Sequence, residues 1–169
     1  MKKELELYIH IPFCIQKCKY CDFLSGPAMI KKQEEYVEAV CKEIQALSDV
    51  EIYEVVSVFI GGGTPSILPD LWINKIMQHI REKFSIREDA EITIEANPGT
   101  VTKEKLQEYR RSGINRISFG CQSTDNEELK MLGRIHTWED FLRSYDLARE
   151  AGFTNINVDL MSGLPGQTV

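Results

Sequence analysis

Residues 5–23 read LELYIHIPFCIQKCKYCDF, an alternating apolar segment that runs directly into a loop with three cysteines. Leucine or isoleucine occupies positions 5, 7, 9 and 11, and Glu6, Tyr8 and His10 lie between them. A period of two is typical of a half-buried strand. The segment therefore predicts a first strand over 5–11 whose carboxyl end leads into the cysteines.

The rest of the chain alternates helical and strand patterns in the same way. Apolar residues recur at helical spacing or in short β-branched runs, and glycine, proline or a capping residue separates the segments. The predicted strands are 55–60, 90–95, 116–119 and 155–160, and the predicted helices lie within 31–47, 71–84, 102–113, 127–132 and 137–152. Alternating strands and helices favour a parallel sheet, either open or curled into a barrel, because parallel neighbours need a crossover.

The composition excludes several classes of protein. The 169 residues are 43% hydrophobic and 27% charged, as in an ordinary globular domain, and no domain boundary is predicted within 1–169. A net charge of -6 has the wrong sign for a general nucleic-acid binder. No apolar run approaches the length of a transmembrane segment, and no signal peptide follows Lys2 and Lys3, so we expect a cytoplasmic protein.

Three of the five cysteines cluster as Cys14, Cys18 and Cys21, at the spacing C-x3-C-x2-C. A disulfide framework is improbable, because the number is odd and no export signal is present. Three thiolates this close in sequence can converge on an inorganic centre. A zinc site would need a fourth ligand, for which His10 is a candidate, whereas a four-iron cluster with three thiolates would keep one iron open. Cys41 and Cys121 fit structural positions better.

Polar residues follow the predicted strands at positions where ligands collect in parallel folds. Glu95, Gln122 and Asp159 lie at or just past the ends of the third, fourth and fifth strands. Each alone could be a surface cap, but together with the cysteine loop they describe one site. The glycine run 61–63 could be a plain turn or a place where backbone approaches a ligand, and Arg134 alone would be read as a surface charge.

The motifs together resemble the radical S-adenosylmethionine (SAM) superfamily and, within it, the oxygen-independent coproporphyrinogen III oxidase-like family. The cysteine segment carries most of the resemblance, which covers nearly the whole chain. The further matching motifs are GGGTP at 61–65, EANPG at 95–99, NRISFGCQ at 115–122, LGRIH at 132–136 and DLMSGLPGQT at 159–168. The resemblance implies a partial (β/α) barrel of parallel strands. It also implies that 1–169 is the N-terminal part of a radical SAM core domain, truncated after the fifth strand, with a sixth strand and a C-terminal region absent.

What the resemblance implies about cofactors is specific. Cys14, Cys18 and Cys21 would hold a 4Fe–4S cluster whose open iron is chelated by SAM, and reduction would cleave SAM to give a 5'-deoxyadenosyl radical. The resemblance assigns SAM contacts to a set of residues at the strand ends: Tyr8, Tyr20, Gly62, Gly63, Thr64, Glu95, Gln122, Arg134 and Asp159. His10 shares a strand face with Tyr8 and is expected to point toward the cluster, as a second-shell residue. The alternative for His10 is a hydrogen-bonded core histidine.

Function divides within this family, and the residues after the third cysteine separate the branches. The decarboxylase branch, which converts coproporphyrinogen III to protoporphyrinogen IX, typically has a fourth cysteine in the pattern C-x2-C-G-C, whereas this chain has Asp22 and Phe23. The difference favours the heme chaperone (HemW-type) branch, which implies heme or a porphyrinogen as ligand, an electron donor for the cluster and a hemoprotein acceptor. Whether the protein is an enzyme stays open. A hypothesis of another class is a non-catalytic zinc or iron–sulfur module.

Overall fold

The computed structural model describes residues 2–168, so the first and last residues of the predicted domain lie outside the described part. Five strands alternate with five helices and two short 3-10 turns. The strands are β1 (Lys3–Ile11), β2 (Tyr53–Gly62), β3 (Ile86–Ala96), β4 (Arg116–Gln122) and β5 (Asn155–Leu160). The helices are α1 (Ile30–Ala46), α2 (Asp70–Lys83), α3 (Lys103–Arg111), α4 (Asn126–Leu132) and α5 (Trp138–Glu150), and the 3-10 turns are Val50–Ile52 and Pro65–Ile67.

All five strands are parallel, and their order in the sheet is the order in the chain. This sequential order is that of a sector of a (β/α) barrel, and it confirms the predicted fold class. The predicted elements are all present, but β1, β2, β3 and β4 are longer than the sequence patterns indicated. In β3 the sequence pattern begins at Ala90, whereas the strand begins at Ile86.

One face of the sheet forms the core. Ile60 of β2, Ile94 of β3 and Phe119 of β4 are wholly buried and belong to a single apolar cluster with the helices. Leucine and isoleucine at 5, 7, 9 and 11 of β1 join the same cluster, as their alternation predicted. Burial of this face is the main stabilising term of such a fold, and it fixes the register of each strand.

The opposite face of the sheet carries polar residues at the alternate positions. The parallel register places Thr93 beside Arg116 and Glu95 beside Ser118. On the next strand Asn157 lies beside Ser118, and Asp159 beside Gly120. This face therefore brings polar side chains of neighbouring strands into rows that end at the carboxyl edge of the sheet.

Caps hold the helices that border this edge. The Thr137 side chain accepts a hydrogen bond from the backbone N–H of Asp140 and Asp140 reciprocates, which is the capping box that the sequence predicted for α5. Asp125 caps α4 through the backbone N–H groups of Glu127 and Glu128. Gly133 ends α4 in the left-handed region at φ 75°. The connection from α4 to α5 is therefore defined at both ends.

Within residues 2–168 no helix is long and apolar enough to cross a membrane.

Candidate functional site

A cavity opens at the carboxyl edge of the sheet, where the ends of all five strands or the loops after them converge. It contains eleven of the thirteen residues that the sequence assigned to the site: Cys14, Cys18, Tyr20, Cys21, Gly62, Gly63, Thr64, Glu95, Gln122, Arg134 and Asp159. Tyr8 and His10 are not among the lining residues. The cavity is the place in a parallel α/β fold where ligands bind.

The cysteine loop is closed at its base by backbone hydrogen bonds. Phe13 and Gly26 form an isolated β-bridge, in which the Cys14 N–H donates to the Gly26 carbonyl at 3.0 Å. The Cys21 N–H donates to the Cys18 carbonyl at 3.1 Å, which turns the chain between these two cysteines. All three thiols are free and half-buried, and all three line the cavity. The loop thus brings all three cysteines to the wall of one cavity, and their role as metal ligands stays a prediction.

The arrangement of the thiols bears on the kind of metal centre. Zinc–sulfur bonds of about 2.3 Å require thiolates in mutual contact. Among residues 2–168 no three histidine, cysteine, aspartate or glutamate side chains are arranged around a single ion position. His10, the candidate fourth zinc ligand, uses Nε2 to donate to the Leu24 carbonyl at 3.3 Å. Three half-buried thiols that line one open cavity fit a cluster with an open iron, and the zinc alternative stays a hypothesis.

The glycine run places the end of β2 against the cysteine loop. The Gly63 N–H donates to the Ile11 carbonyl at 2.8 Å and the Thr64 N–H to the Phe13 carbonyl at 2.7 Å. A Cβ atom on Gly63 would lie 2.6 Å from the Phe13 carbonyl oxygen and 3.0 Å from the Cys14 sulfur. Glycine is required here for the close approach of two backbones, and the Thr64 hydroxyl reaches the same sulfur at 3.6 Å.

Glu95 projects from β3 into the cavity and is held by the glycine run. Its Oε2 accepts a hydrogen bond from the Gly62 N–H at 2.9 Å. A side chain on Gly61 would block this, since its Cβ atom would lie 2.9 Å from the same oxygen. Burial raises the pKa of Glu95, and the nearby Asp159 charge acts in the same direction, whereas the Gly62 N–H opposes the shift. Glu95 is therefore a fixed acceptor that faces the cavity.

Arg134 is partly buried and links segments of the site, and it is not the surface charge that its position alone indicated. Its Nη2 donates to the Asn97 side-chain oxygen at 2.8 Å and to the Gly120 carbonyl at 2.6 Å. Its Nη1 lies 3.5 Å from the Cys18 sulfur and 3.4 Å from the Tyr20 hydroxyl. The guanidinium thus joins the cysteine loop to the ends of β3 and β4.

The end of β4 is distorted so that Gln122 faces the cavity. The pairing with β5 shifts register between Gly120 and Gln122, and Gln122 has a φ of 74°, which is uncommon for a residue with a side chain. The Gln122 carbonyl accepts from the Met161 N–H at 2.8 Å, and His136 Nε2 donates to the Cys121 carbonyl at 3.1 Å. Backbone strain that surrounding contacts hold in place is common at functional sites.

Asp159 reaches the cavity from β5. Its carboxylate accepts from the Asn157 side-chain amide at 2.8 Å and from the Ser118 hydroxyl at 3.4 Å. Asn157 also donates to Ser118 at 3.0 Å, so the three side chains form one network across β4 and β5. The carboxylate is thereby oriented while part of it stays open to the cavity.

Tyr8 and His10 lie beside the site without lining it. They border a groove between β1 and α1, where Tyr8 stacks on Phe59 with ring centroids 6.0 Å apart. The Tyr8 hydroxyl donates to His10 Nδ1 at 3.4 Å. A Cβ atom on Gly62 would lie 2.6 Å from that nitrogen, so His10 packs directly behind the glycine run. The His10 ring is held between the Tyr8 hydroxyl and the Leu24 carbonyl, and its expected orientation toward the cluster stays a prediction.

Sequence reasoning missed two members of the site. Asn97 donates to the Thr64 hydroxyl at 3.0 Å while it accepts from Arg134, and Ser118 orients Asp159. Asn97 belongs to a motif that the sequence analysis quoted, but an asparagine before proline was read as a turn signal. Ser118 is a short side chain within a strand, and nothing in the pattern marked it.

Known proteins resemble this chain in both sequence and fold. The sequence profile described as the Radical SAM superfamily matches residues 8–169. Heme chaperone HemW of Escherichia coli is 43% identical over 98% of this chain and 44% of its own length, and heme chaperone HemW of Bacillus subtilis is 40% identical over 96% and 43%. The solved structure of coproporphyrinogen III oxidase (HemN) from Escherichia coli is 35% identical over 99% of this chain and 39% of its own, with a TM-score of 0.91. The chain thus spans less than half the length of the relatives it matches.

Proposed function

The chain belongs to the radical SAM superfamily, and on that premise we propose that the protein binds heme and delivers it to hemoproteins as a heme chaperone. The observation that carries the proposal is the 40–43% identity, over almost the whole chain, to proteins named as heme chaperones. The cofactors of the superfamily are a 4Fe–4S cluster and SAM, which together supply one-electron chemistry when bound. The chain spans less than half the length of these relatives, so the activity of a whole protein of this kind is part of the proposal.

Cys14, Cys18 and Cys21 hold the cluster in this proposal. All three thiols face one cavity, and the loop that carries them is closed by backbone hydrogen bonds at Phe13 and Gly26. The glycine run keeps backbone close to the Cys14 sulfur and excludes side chains from that wall. The other two cysteines are buried elsewhere: Cys41 lies in α1 and Cys121 on the core side of β4.

SAM occupies the rest of the same cavity. Gly62, Gly63 and Thr64 face its amino-acid part from the end of β2, and Glu95 and Asp159 offer fixed carboxylate acceptors. Gln122 contributes an amide from β4, and Arg134 contributes the positive charge. Tyr20 lines the cavity from the cysteine loop, whereas Tyr8 stacks on Phe59 beside it, and its contact with SAM stays a prediction.

The residues that follow Cys21 favour the chaperone over the decarboxylase. Asp22 and Phe23 stand where the decarboxylase pattern has glycine and a fourth cysteine. The coproporphyrinogen III oxidase that resembles this chain in structure keeps decarboxylation as the second candidate function. In either case the partners include an electron donor for the cluster, and in the first case a hemoprotein that accepts heme in the cytoplasm.

Two assays on the anaerobically purified full-length protein test the proposal. The first is a heme titration followed by absorbance, and the second is incubation with SAM, reductant and coproporphyrinogen III, scored for protoporphyrinogen. Stoichiometric heme binding without product is the expected result. Product with weak heme binding would make the protein a decarboxylase.

Iron and sulfide analysis after reconstitution separates both functions from the metal-module alternative. We expect iron and acid-labile sulfide in equal amounts and an EPR spectrum of the reduced cluster that changes when SAM is added. A zinc-loaded protein, or a cluster whose spectrum ignores SAM, would overturn the radical SAM assignment of the site.

A further inference from the structure

The Arg134 guanidinium lies within hydrogen-bonding distance of the Cys18 sulfur. Two of its hydrogen bonds, to Asn97 and to the Gly120 carbonyl, hold Nη2 at 2.8 and 2.6 Å. Because the guanidinium is planar, these bonds also fix the direction of Nη1, which lies 3.5 Å from the Cys18 sulfur. The contact is therefore imposed by the ends of β3 and β4 and is not a free choice of a mobile side chain.

The backbone keeps Cys18 and Arg134 in register from the other side. The Lys19 N–H donates to the Leu132 carbonyl at 2.9 Å, and the Gln16 side-chain amide donates to the Gly133 carbonyl at 3.1 Å. These two bonds attach the cysteine loop to the residues directly before Arg134. A Cβ atom on Gly133 would lie 3.8 Å from the Cys18 Cα atom, which shows how closely the two segments pack.

Charge makes this contact selective for one oxidation state. Hydrogen bonds to cysteine sulfurs and the local net charge are among the factors that set the reduction potential of an iron–sulfur cluster. Reduction by a one-electron donor, such as a reduced flavoprotein or ferredoxin, adds one negative charge to the cluster and its thiolates, with no bond formed or broken. A guanidinium at a ligand sulfur in a partly buried site interacts more favourably with the more negative state.

We propose that Arg134 donates a hydrogen bond to the Cys18 thiolate and raises the reduction potential of the cluster, in addition to any contact with SAM. The inference rests on the proposed assignment of the cluster to Cys14, Cys18 and Cys21. It gives Arg134 a role that exists before SAM binds. A residue that only binds SAM would leave the potential of the SAM-free protein unchanged.

The test is an EPR-monitored redox titration of the reconstituted full-length protein without SAM. For Arg134→Gln we expect a roughly tenfold loss in the equilibrium constant for one-electron reduction, which corresponds to a potential lower by about 59 mV. Arg116→Gln is the matched control, because it also replaces an arginine by glutamine and Arg116 lies on the polar face of the sheet. Arg116 lies four residues before Gly120 on β4, or roughly 13 Å away along the strand.

The outcomes separate this inference from the proposed function. An unchanged potential in Arg134→Gln, or an equal shift in both variants, overturns the role of Arg134 and leaves the cluster assignment standing. Failure of the parent protein to assemble an iron–sulfur cluster overturns the proposed function instead. If Arg134→Gln does not fold, Arg134→Lys decides: a lone ammonium cannot serve Asn97, Gly120 and Cys18 together, so a smaller shift in the same direction is expected, and no shift contradicts the proposal.

Discussion

The two faces of this sheet are built by neighbouring residues and yet have opposite chemistry. On β4, Ile117 and Phe119 are wholly buried against the helices, whereas Ser118 between them bonds to Asn157 and Asp159 on the other face. The apolar face is closed by packing, and the polar face ends in the cavity with the cysteine loop. A single strand therefore supplies both stability and the site, and the two contributions should be separable by mutation.

The largest expected effect is on cluster assembly, and it distinguishes a cysteine at the cavity from a cysteine in the apolar core. Cys18→Ala removes one of the three proposed cluster ligands at the cavity. It should abolish cluster assembly, because no other cysteine lines the described cavity and could replace it. Cys41→Ala changes a thiol buried on the core side of α1 and should leave the iron content unchanged. Iron and sulfide analysis after anaerobic reconstitution measures both. An equal loss of iron in the two variants would contradict the assignment of Cys18 as a cluster ligand.

The next largest effect compares adjacent residues of β4. Phe119→Ala should lower the free energy of unfolding by roughly 3–5 kcal/mol, because a wholly buried ring leaves a cavity between sheet and helices. Ser118→Ala should lower the free energy of unfolding by only about 1 kcal/mol, the net contribution of a typical hydrogen bond, but should weaken SAM binding through Asp159. Urea unfolding and a SAM titration followed by EPR measure the two effects. Comparable stability losses would contradict the division between the faces.

The apolar face was predictable from sequence because its signal is periodic. Alternation in 5–11 and 155–160 and the β-branched run at 55–60 each predicted a strand and the side that packs. The underestimated beginning of β3 has a physical reason: Ile86 is only half-buried, and the three residues that follow it, 87–89, are charged and partly or wholly exposed. Periodicity therefore reports burial, and it loses the parts of a strand that burial does not cover.

The polar face was predictable only in part. The cysteine spacing and the strand-end residues Glu95, Gln122 and Asp159 could be read locally, and the structure brings them together. Contacts between distant segments, such as the bond from Arg134 to Asn97, leave no local pattern. The hydrogen bonds between distant segments around the cavity could therefore not be predicted from the sequence.

The next prediction concerns how the free energy of unfolding depends on pH through the buried side chain of His136. Burial lowers the pKa of His136 to about 4, and the positive charge of Arg134 acts in the same direction. The unfolded chain binds this proton near pH 6.5 while the folded chain does not, so stability is complete above pH 6.5 and falls as the pH decreases toward 4. The full loss from this group is roughly 3 kcal/mol.

His136→Gln should reduce the fall in stability between pH 7.5 and 4.5, since glutamine can donate to the Cys121 carbonyl but does not titrate. Urea unfolding of the metal-free protein at both pH values measures the change. Carboxylates contribute equally in parent and variant, so the difference between the two proteins reports His136. His79→Gln, on α2, is the control. An identical pH dependence of stability in the parent protein and in His136→Gln would show that folding does not keep His136 neutral.

The smallest expected effect concerns the glycines that end α4 and follow α5. Gly133 and Gly152 both have a positive φ, 75° and 92°, so alanine at either position should cost roughly 1–2 kcal/mol of stability. Only at Gly133 does the added Cβ atom meet the cysteine loop, 3.2 Å from the Lys19 side chain, whereas nothing lies within 4 Å of it at Gly152. Gly133→Ala should therefore also displace Cys18 from Arg134 and lower the cluster potential by less than Arg134→Gln does. An equal shift of the cluster potential in Gly152→Ala would mean that strain at a helix end changes the potential, and not the contact between Gly133 and the cysteine loop.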